Sequence, residues 1–416
     1  MKKWIFNLLS VLVGLTVAFF LLGSPALEKL FIYISSLLVN LVPFIFYGML
    51  FFLSTAGVAS LNLQKLTYKT LFYTLVWACV TLILLILSSG FFSSLMPLID
   101  VDSFINANKA LLADTSIQSS AFNKILLAFS GQNFQPFFFS FGLLMPIVGI
   151  SFLLGYGITP TKEVLRPAYS VINSFSEVSL KLLHLISLLM NIGLSFVTGV
   201  FIVILLRISS LSIITSFLIY FALATIIVIF LIFPLLIVIF TKERHPYFLL
   251  SGLLSPMFHA FFSGTSTYAL PVVLQHNRSN LGIAKRINSL SIPVLSLIGR
   301  GGSAFVSSFV LITMLSSRMG DTTLISMTLK ILLSCGVISI VSYAFPGFEV
   351  LCITLGTIAF LGLDIYQEAT FLFILILHPL LQGVAALIDT LICGVGAAAC
   401  GYRVHAYIPV TKKDRI

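Results

Sequence analysis

The residues of this sequence that could do chemistry are ionisable side chains inside long apolar stretches. The five candidates are Arg300, Glu349, Asp364, Glu368 and Asp389. A charged side chain within a lipid bilayer is costly unless it is paired or hydrated, so it is a candidate functional residue by default. Arg300 and Asp389 lie well inside apolar segments. We therefore expect them to form a buried pair, either as a structural salt bridge or as part of a solute site.

The other three carboxylates lie closer to predicted turns. Asp364 and Glu368 fall in the short connection before the last apolar helix, where an aqueous loop would explain them. Glu349 follows Pro346 and Gly347, a pair that forces a break within its segment. Glu349 is therefore either a loop residue or part of a gate at that break.

The composition requires a membrane as the solvent for much of the chain. Of 416 residues, 59% are hydrophobic and 9% are charged, whereas a soluble domain has about 25% charged residues. The formal net charge of +10 does not indicate a nucleic-acid partner, because the basic residues fall mainly in short loops between apolar runs. We predict a multi-spanning, all-α membrane protein that interacts with the lipid bilayer and binds no nucleic acid.

Apolar runs predict the spans and their orientation. Spans are expected near residues 4–22, 30–57, 70–98, 136–158, 172–206 and 211–240, with a polar loop over 99–135 and two mixed regions at 245–317 and 325–403. With a cytoplasmic N-terminus, Lys and Arg concentrate on the cytoplasmic side. This bias holds only if segments 246–280 and 326–365 enter and leave on the same side. It predicts an inner-membrane protein with both termini cytoplasmic.

These two segments have the composition of re-entrant hairpins. The first contains Ser263-Gly264-Thr265-Ser266-Thr267, and the second contains Pro346-Gly347. Non-helical backbone at membrane depth is tolerated where it is buried in protein or lines a wet cavity. Broken hydrophobic segments in corresponding positions indicate the solute site of a transporter. Kinks in ordinary spanning helices are the alternative, but they would remove the charge bias.

Several motifs resemble those of a known family. They read Thr265-Ser266-Thr267-Tyr268-Ala269-Leu270-Pro271-Val272, Asn280-Leu281-Gly282-Ile283-Ala284-Lys285-Arg286-Ile287 and Ser291-Ile292-Pro293, with Leu41-Val42-Pro43-Phe44 in the first half. They resemble the first re-entrant hairpin, the seventh span and the second span of the glutamate transporter family, the dicarboxylate/amino acid:cation symporters. The resemblance covers nearly the whole chain.

The resemblance implies a fold and an assembly. It implies eight transmembrane helices, two re-entrant hairpins, a homotrimer and an elevator mechanism, in which a transport domain slides against a scaffold. The implied scaffold comprises residues 1–69 (spans 1 and 2) and 99–210 (the extracellular loop with spans 4 and 5). The implied transport domain comprises residues 70–98 (span 3) and 211–416 (span 6, hairpin 1, span 7, hairpin 2 and span 8).

The sequence departs from the family where solute and sodium bind. The family breaks its seventh span at Asn-Met-Asp-Gly-Thr, and this chain has Gly299-Arg300-Gly301-Gly302-Ser303 there. In the last span, the best match aligns Gln382, Ala385-Ala386, Asp389 and Cys393 with the family's Asp, Arg-Thr, Asn and Asp. The family's substrate-binding Arg and both carboxylates are therefore absent, which puts the family's cargo and coupling in doubt.

The candidate site follows from these positions. We predict substrate-binding residues Thr265, Ser266, Thr267, Arg300, Ser303, Gln382 and Asp389, gate residues Pro346, Gly347 and Glu349, and an unwound helix at Gly299, Gly301 and Gly302. Arg300 would supply as a fixed charge what bound sodium supplies in the family. Transport would then depend weakly or not at all on sodium, and sodium or a proton stays possible as the coupling ion.

Two classes of function compete at this point. The first is a secondary carrier for a small amino acid or carboxylate, with altered or absent cation coupling. The second is a channel-like or transport-dead relative that acts as a sensor or scaffold. An enzyme is not indicated, because the sequence has no H-E-x-x-H motif, no phosphate-binding loop and no nucleophile–base constellation. We expect no catalytic residue, no cofactor and no structural metal.

Overall fold

The computed structural model describes residues 3–96, 101–107, 144–158, 163–208, 211–241, 245–316, 321–363 and 367–407. Within these ranges the chain is helical, and its only β feature is an isolated bridge between Ile283 and Tyr407. Six of the described helices are long and apolar enough to cross a membrane. The prediction of an all-α membrane protein is therefore confirmed, while the arrangement as eight spans and two re-entrant hairpins stays a prediction.

Long helices form the first half of the chain. They are α1 (Lys3–Leu22), α2 (Pro25–Leu63), α3 (Thr67–Ser94), α4 (Val101–Ala107), α5 (Leu144–Gly157) and α6 (Arg166–Leu206). Proline suits the first position of α2, because the N–H that it lacks would have no partner within the helix there. Helices α1, α2 and α6 pack against one another, and α5 packs against α2.

The second half contains shorter and more interrupted helices. They are α7 (Thr215–Ile227), α8 (Phe233–Thr241), α9 (Pro246–Gly252), α10 (Leu254–Ser263), α11 (Ser266–Ser279), α12 (Lys285–Ile298), α13 (Gly301–Ser316), α14 (Asp321–Ser339), α15 (Glu349–Leu361), α16 (Gln367–Ile376) and α17 (His378–Arg403). A π-helical turn at Val228–Ile232 joins α7 to α8. Helix α17 lies at the centre, in contact with α10, α11, α12 and α13.

The second half breaks its helices at the positions that the sequence indicated. Helices α10 and α11 pack together and are joined at Gly264, whose φ of +67° favours glycine. Helices α14 and α15 also pack together, and the chain between them contains Gly347 with a φ of +85°. Helices α12 and α13 are separated by Gly299 and Arg300. These three interruptions therefore fall where the sequence predicted breaks.

Helix α3 packs with the second half of the chain. The Trp77 indole Nε1–H donates to the Ile392 carbonyl at 3.0 Å. Gly396 permits this approach, because a Cβ there would lie 2.4 Å from the Trp77 ring. The Thr74 and Ser291 hydroxyls are 3.1 Å apart and join α3 to α12. Polar and close contacts thus connect α3 to both α12 and α17.

Part of the predicted polar loop is a packed helix. We expected a solvent loop over residues 99–135, but α4 occupies Val101–Ala107, and residues 108–135 lie outside the described ranges. Val101, Phe104 and Ile105 have helical spacing and are buried. The Phe104 ring lies 5.8 Å from that of Phe373 in α16. The apolar face of α4 explains why this segment packs.

Two polar contacts connect α6 to the second half. The Lys285 Nζ atom, at the start of α12, lies 2.7 Å from Oε1 of Glu177. In α11, the Gln275 Nε2 atom lies 2.7 Å from Nδ1 of His184. Helix α2 adds apolar packing against α12. The contacts of α2 and α6 with α11 and α12 are therefore mostly apolar, with exposed polar contacts at Lys285 and Gln275.

Candidate functional site

The break between α12 and α13 sets the position of the central cation. Gly299 ends α12, and its N–H donates to the Leu295 carbonyl at 2.7 Å. A Cβ at Gly299 would lie 2.6 Å from that same carbonyl oxygen, so a side chain would force the backbone to shift. Arg300 follows directly and is only 1% exposed. The glycine therefore holds the chain in the bend that presents Arg300 to the protein interior.

Asp389 caps the N-terminus of α13. Its Oδ1 accepts hydrogen bonds from the backbone N–H groups of Gly302 at 2.7 Å and Ser303 at 3.3 Å. The Ser303 hydroxyl donates to Oδ2 at 2.5 Å. The first N–H groups of a helix lack partners within it and carry partial positive charge, so an anion is stabilised there. Asp389 thus receives much of its compensation from the helix.

Gly302 allows α17 to approach this helix end. A Cβ at Gly302 would lie 2.6 Å from the Ala385 carbonyl oxygen and 2.8 Å from the Asp389 backbone nitrogen. Gly301 is similarly close to Leu85 and Ile392. The Gly301-Gly302 pair therefore lets α3 and α17 contact the first turn of α13, where Asp389 makes its hydrogen bonds.

Arg300 joins three elements through one nitrogen. Its Nη1 donates to the Ser266 hydroxyl at 2.7 Å and to Oε1 of Glu349 at 3.1 Å. The distance from Nη1 to Oδ2 of Asp389 is 3.9 Å. The structure therefore has the pair of Arg300 and Asp389 that the sequence predicted, but Glu349, which was not predicted as a partner, is the nearer carboxylate. The hydrogen bonds from α13 explain the difference, because they hold Asp389 at the helix end.

The remaining guanidinium donors of Arg300 are buried without a partner. Both Nε and Nη2 lack a hydrogen-bond acceptor among the described residues. These two nitrogens share one edge of the planar group, the edge that binds a carboxylate through two parallel hydrogen bonds. Arg300 thus presents a buried donor fork in addition to its contacts with Ser266 and Glu349.

Glu349 ties the second helix interruption to α17. Its Oε2 accepts hydrogen bonds from the Gly347 N–H at 2.8 Å and from the Gln382 side-chain amide. The side-chain oxygen Oε1 of Gln382 in turn accepts a hydrogen bond from the Val350 backbone N–H at 3.1 Å. Glu349 is 1% exposed and is the first residue of α15. It is therefore a buried residue at a helix start, and the loop alternative is wrong.

The two helix interruptions meet beside Gln382. A Cβ at Gly347 would lie 3.1 Å from Cγ2 of Thr265, and one at Gly264 would lie 3.5 Å from Cγ of Gln382. The buried Thr265 hydroxyl has no hydrogen-bond partner among the described residues. Gly347 and Pro346 are both partly buried. The turn between α10 and α11 therefore touches the turn before α15.

The structure brings most of the predicted site residues together. Hydrogen bonds connect Ser266, Arg300, Glu349 and Gln382 in one group and Ser303 with Asp389 in another. The ion pair between Arg300 and Asp389 at 3.9 Å joins the two groups. Thr267 is buried in the first turn of α11 and lies beside Tyr47 of α2. Of the remaining ionisable candidates, Glu368 is in α16, and Asp364 lies outside the described residues.

Sequence reasoning missed two aromatic residues at this site. Phe348 stacks on His378 with ring centroids 5.1 Å apart, which fixes the turn before α15 against the start of α17. Tyr47 reaches the site from α2. The place of Phe348 directly after Pro346-Gly347 could have indicated that it belongs to the site. Nothing local marks Tyr47, because its neighbours come from a distant part of the chain.

A cavity of about 180 Å³ lies against the two turns. Its walls include Ser35 and Val39 of α2 and Phe201 of α6 on one side. Gly264, Gly347 and Gln382 form part of the other side. Two of these residues, Gly347 and Gln382, hydrogen-bond to Glu349. The cavity thus lies between α2 and α6 on one side and two residues that hydrogen-bond to Glu349, the nearer ion-pair partner of Arg300, on the other.

The described residues offer no cluster of three or more His, Cys, Asp or Glu side chains that could hold a metal ion. The described cysteines are free thiols, most of them buried. The charged groups of Arg300, Glu349 and Asp389 can recognise a solute by charge and hydrogen bonding.

The chain was compared with known proteins. The family model described as "Sodium:dicarboxylate symporter family" matches residues 4–400. A comparison with curated proteins found no match.

Proposed function

Since the chain belongs to the sodium:dicarboxylate symporter family, we propose that it is a secondary active transporter for a small amino acid or carboxylate. Membership makes it a multi-pass membrane transport protein, and nothing in the family implies an enzyme. The observation that carries the proposal is the buried cluster of Arg300, Glu349 and Asp389, at the meeting point of two helix interruptions. Ionisable residues at membrane depth are rare because they are costly, and they mark substrate or ion pathways by default, which supports a solute site here.

We propose an elevator mechanism within a homotrimer in the inner membrane. The proposed scaffold comprises residues 1–69 and 99–210, and the proposed transport domain comprises residues 70–98 and 211–416, with both termini cytoplasmic. Packing supports this division in part, because α3 contacts α12 and α17 closely and α1, α2 and α6 form their own bundle. Helix α4 packs against α16 instead, which favours moving the boundary beyond Ala107.

We further propose that sodium coupling is weak or absent. Sodium is the ion whose transport is coupled to that of the solute in this family. It prefers oxygen ligands. At the α12–α13 break the central group is the guanidinium of Arg300, and the nearby Asp389 oxygens are occupied by α13 donors. The fixed cation repels a second cation bound beside it, which offsets part of the attraction from Glu349 and Asp389.

Uptake by the purified protein in liposomes tests the function and its coupling. Labelled amino acids and dicarboxylates would be supplied with a sodium gradient or with choline in its place. We expect saturable uptake that changes less than about twofold on replacing sodium, which corresponds to well under 1 kcal/mol. A steep sodium requirement would contradict weak coupling and leave the transporter intact.

Two further measurements separate the proposed carrier from its alternative. Counterflow of labelled solute against unlabelled solute is expected for a carrier and not for a channel. The variant Arg300→Met should abolish uptake, while the exposed variant Glu177→Gln serves as a control for expression and insertion. Thermal stabilisation by a solute that is never taken up would favour a sensor and count against the proposal.

A further inference from the structure

A second cavity, of about 390 Å³, lies between the start of α3 and the end of α17. Its described lining residues come from segments 66–73 and 403–405, and none of them belongs to the cluster around Arg300. The volume falls within the range of small-molecule sites, about 300–1,000 Å³. The cavity is therefore large enough to hold a ligand of its own.

Basic side chains give this cavity a positive charge. Lys69 of α3 lines it together with Arg403 and His405, and none of the described lining residues is acidic. Neither Lys69 nor Arg403 forms an ion pair with a carboxylate in the described ranges. The start of α3 and the end of α17 carry partial charges of opposite sign and similar size. The two helix ends thus offset each other, and the basic side chains decide the sign.

The backbone beside the cavity holds basic residues where glycine is usual. Lys65 and His405 follow the ends of α2 and α17 with φ values of +56° and +54°. In both turns the next N–H donates to the carbonyl five residues earlier, at 3.0 and 2.9 Å. Glycine is the common residue at this place in such a helix-ending turn. A topology signal requires only that basic residues lie on the correct side, whereas here two turns bring them to one cavity.

Aromatic side chains place the cavity at the level of the lipid headgroups. Helices α3 and α17 are both candidate membrane spans, and the cavity lies at their ends. Tyr68 and Phe72 line it and are 69% and 62% exposed. The Tyr68 hydroxyl lies 3.2 Å from that of Tyr156, at the end of α5. Tyrosine is enriched at the boundary between membrane and water. Exposed cations and an exposed apolar surface therefore adjoin each other here.

From these observations we propose that this cavity binds the headgroup of an anionic phospholipid. Lys69 and Arg403 bind the phosphate, Lys69 as a point charge and Arg403 through parallel N–H donors. The acyl chains lie along the exposed ring of Phe72. Basic pockets between membrane helices recognise lipid headgroups in this way. In the orientation proposed above, the lipid comes from the cytoplasmic leaflet.

Native mass spectrometry of the full-length protein in detergent measures lipid binding directly. The probes are phosphatidylglycerol, phosphatidylcholine and glycerol 3-phosphate. We expect phosphatidylglycerol to bind at least about tenfold more tightly than either of the others. Equal binding of phosphatidylcholine would overturn the requirement for an anionic headgroup. Equal binding of glycerol 3-phosphate would assign the cavity to a soluble phosphate and overturn the lipid proposal.

A pair of double variants locates the lipid on the protein. Lys69→Gln with Arg403→Gln should lower the affinity for phosphatidylglycerol by about tenfold or more. Lys181→Gln with Lys330→Gln also removes two exposed charges, from α6 and α14, and should change the affinity by less than about twofold. Equal losses in the two double variants would show general attraction to surface charge and overturn the site.

The test stays decisive if a variant fails to fold. A cooperative melting transition shows that each variant is folded, and Lys69→Gln alone replaces the double variant if that fails, with an expected loss of about fivefold. The series of wild-type probes stands without any variant. Because none of these measurements uses uptake, failure of the lipid site leaves the proposed transport function untouched.

Discussion

The inner helices of this protein bury polar side chains, and the outer helices expose apolar ones, which is the reverse of the pattern in soluble proteins. In the α12–α13 segment, 89% of the apolar 18-residue stretch is buried inside the protein, and in α17 the share is 94%. In α2 it is 33%. Yet α12 buries polar side chains such as Asn288, Ser289 and Ser291. The α2 helix instead exposes large apolar side chains, including Phe44.

The difference teaches which interactions hold each region. Outer helices face lipid, so their apolar side chains need no partner within the protein. Inner helices approach one another closely through glycine and serine, and every buried polar group needs an acceptor or donor. Changes of size or charge should therefore have large effects inside and small effects outside, and matched pairs of variants can measure this.

The largest contrast is expected for added volume at two glycines. In Gly302→Val, the new side chain would collide with the Ala385 carbonyl and Ile388. We expect a loss of about 3 kcal/mol or more in unfolding free energy and no uptake. In Gly48→Val, nothing lies within 4 Å of the new Cβ, so the thermal midpoint should barely change. Melting curves in detergent and uptake in liposomes measure both, and equal effects would contradict the contrast.

Removing a charge should give the next largest contrast. Asp389→Asn keeps the size but weakens the cap of α13 and leaves Arg300 with one carboxylate, so we expect a loss of about 2 kcal/mol. Glu28→Gln breaks a half-exposed pair, since the Arg207 side chain is 51% exposed and that of Glu28 is 12% exposed, and should cost about 1 kcal/mol. Thermal midpoints compare the two. A larger effect at Glu28 would show that burial does not decide the outcome.

Two glycines with positive φ offer a finer comparison. Gly347→Ala and Gly362→Ala place alanine at φ values of +85° and +65°, which costs about 1–2 kcal/mol at either position. Only Gly347 has a close neighbour, Thr265 Cγ2 at 3.1 Å. Both variants should therefore lose similar stability, but only Gly347→Ala should change the KM for uptake. An equal change of KM in Gly362→Ala would show that the turn before α15 has no special role in solute binding.

The smallest effect is expected at the exposed contact between Glu177 and Lys285. Glu177 is 54% exposed, and exposed ion pairs contribute about 0–1 kcal/mol. Glu177→Gln should therefore leave the thermal midpoint nearly unchanged and alter the uptake rate by less than about threefold. Uptake at low and high salt checks this, because salt screens the wild-type pair and has no pair to screen in the variant.

The sequence predicted the helices and their interruptions better than it predicted the partners of charged groups. Apolar run length indicated the outer helices, and Ser-Gly-Thr and Pro-Gly indicated the breaks near Gly264 and Gly347. These signals are local, so a single sequence carries them. The start of α15 at Glu349 was less certain, because a carboxylate suits both a loop and the first turn of a helix.

The contact of Arg300 with Glu349 could not be read from the sequence, whereas its pair with Asp389 could. The approach of Glu349 to Arg300 depends on how the turn before α15 packs against α17, through Gln382 and the stacked Phe348–His378 pair. No periodicity encodes such a contact. The position of Asp389 was easier to predict from the sequence, because Gln382 and Asp389 are two helical turns apart and share a face of α17. The roles of these residues in binding stay predictions.

The buried cluster also has a consequence for the membrane potential. One guanidinium against two carboxylates gives the cluster a formal charge of −1. In an elevator this charge would travel with the transport domain through part of the electric field, at about 2.3 kcal/mol per elementary charge for each 100 mV crossed in full. A cargo without net charge leaves that charge unchanged. The membrane potential would then act equally on the movement of the loaded and the empty carrier. A complete exchange cycle would move no net charge.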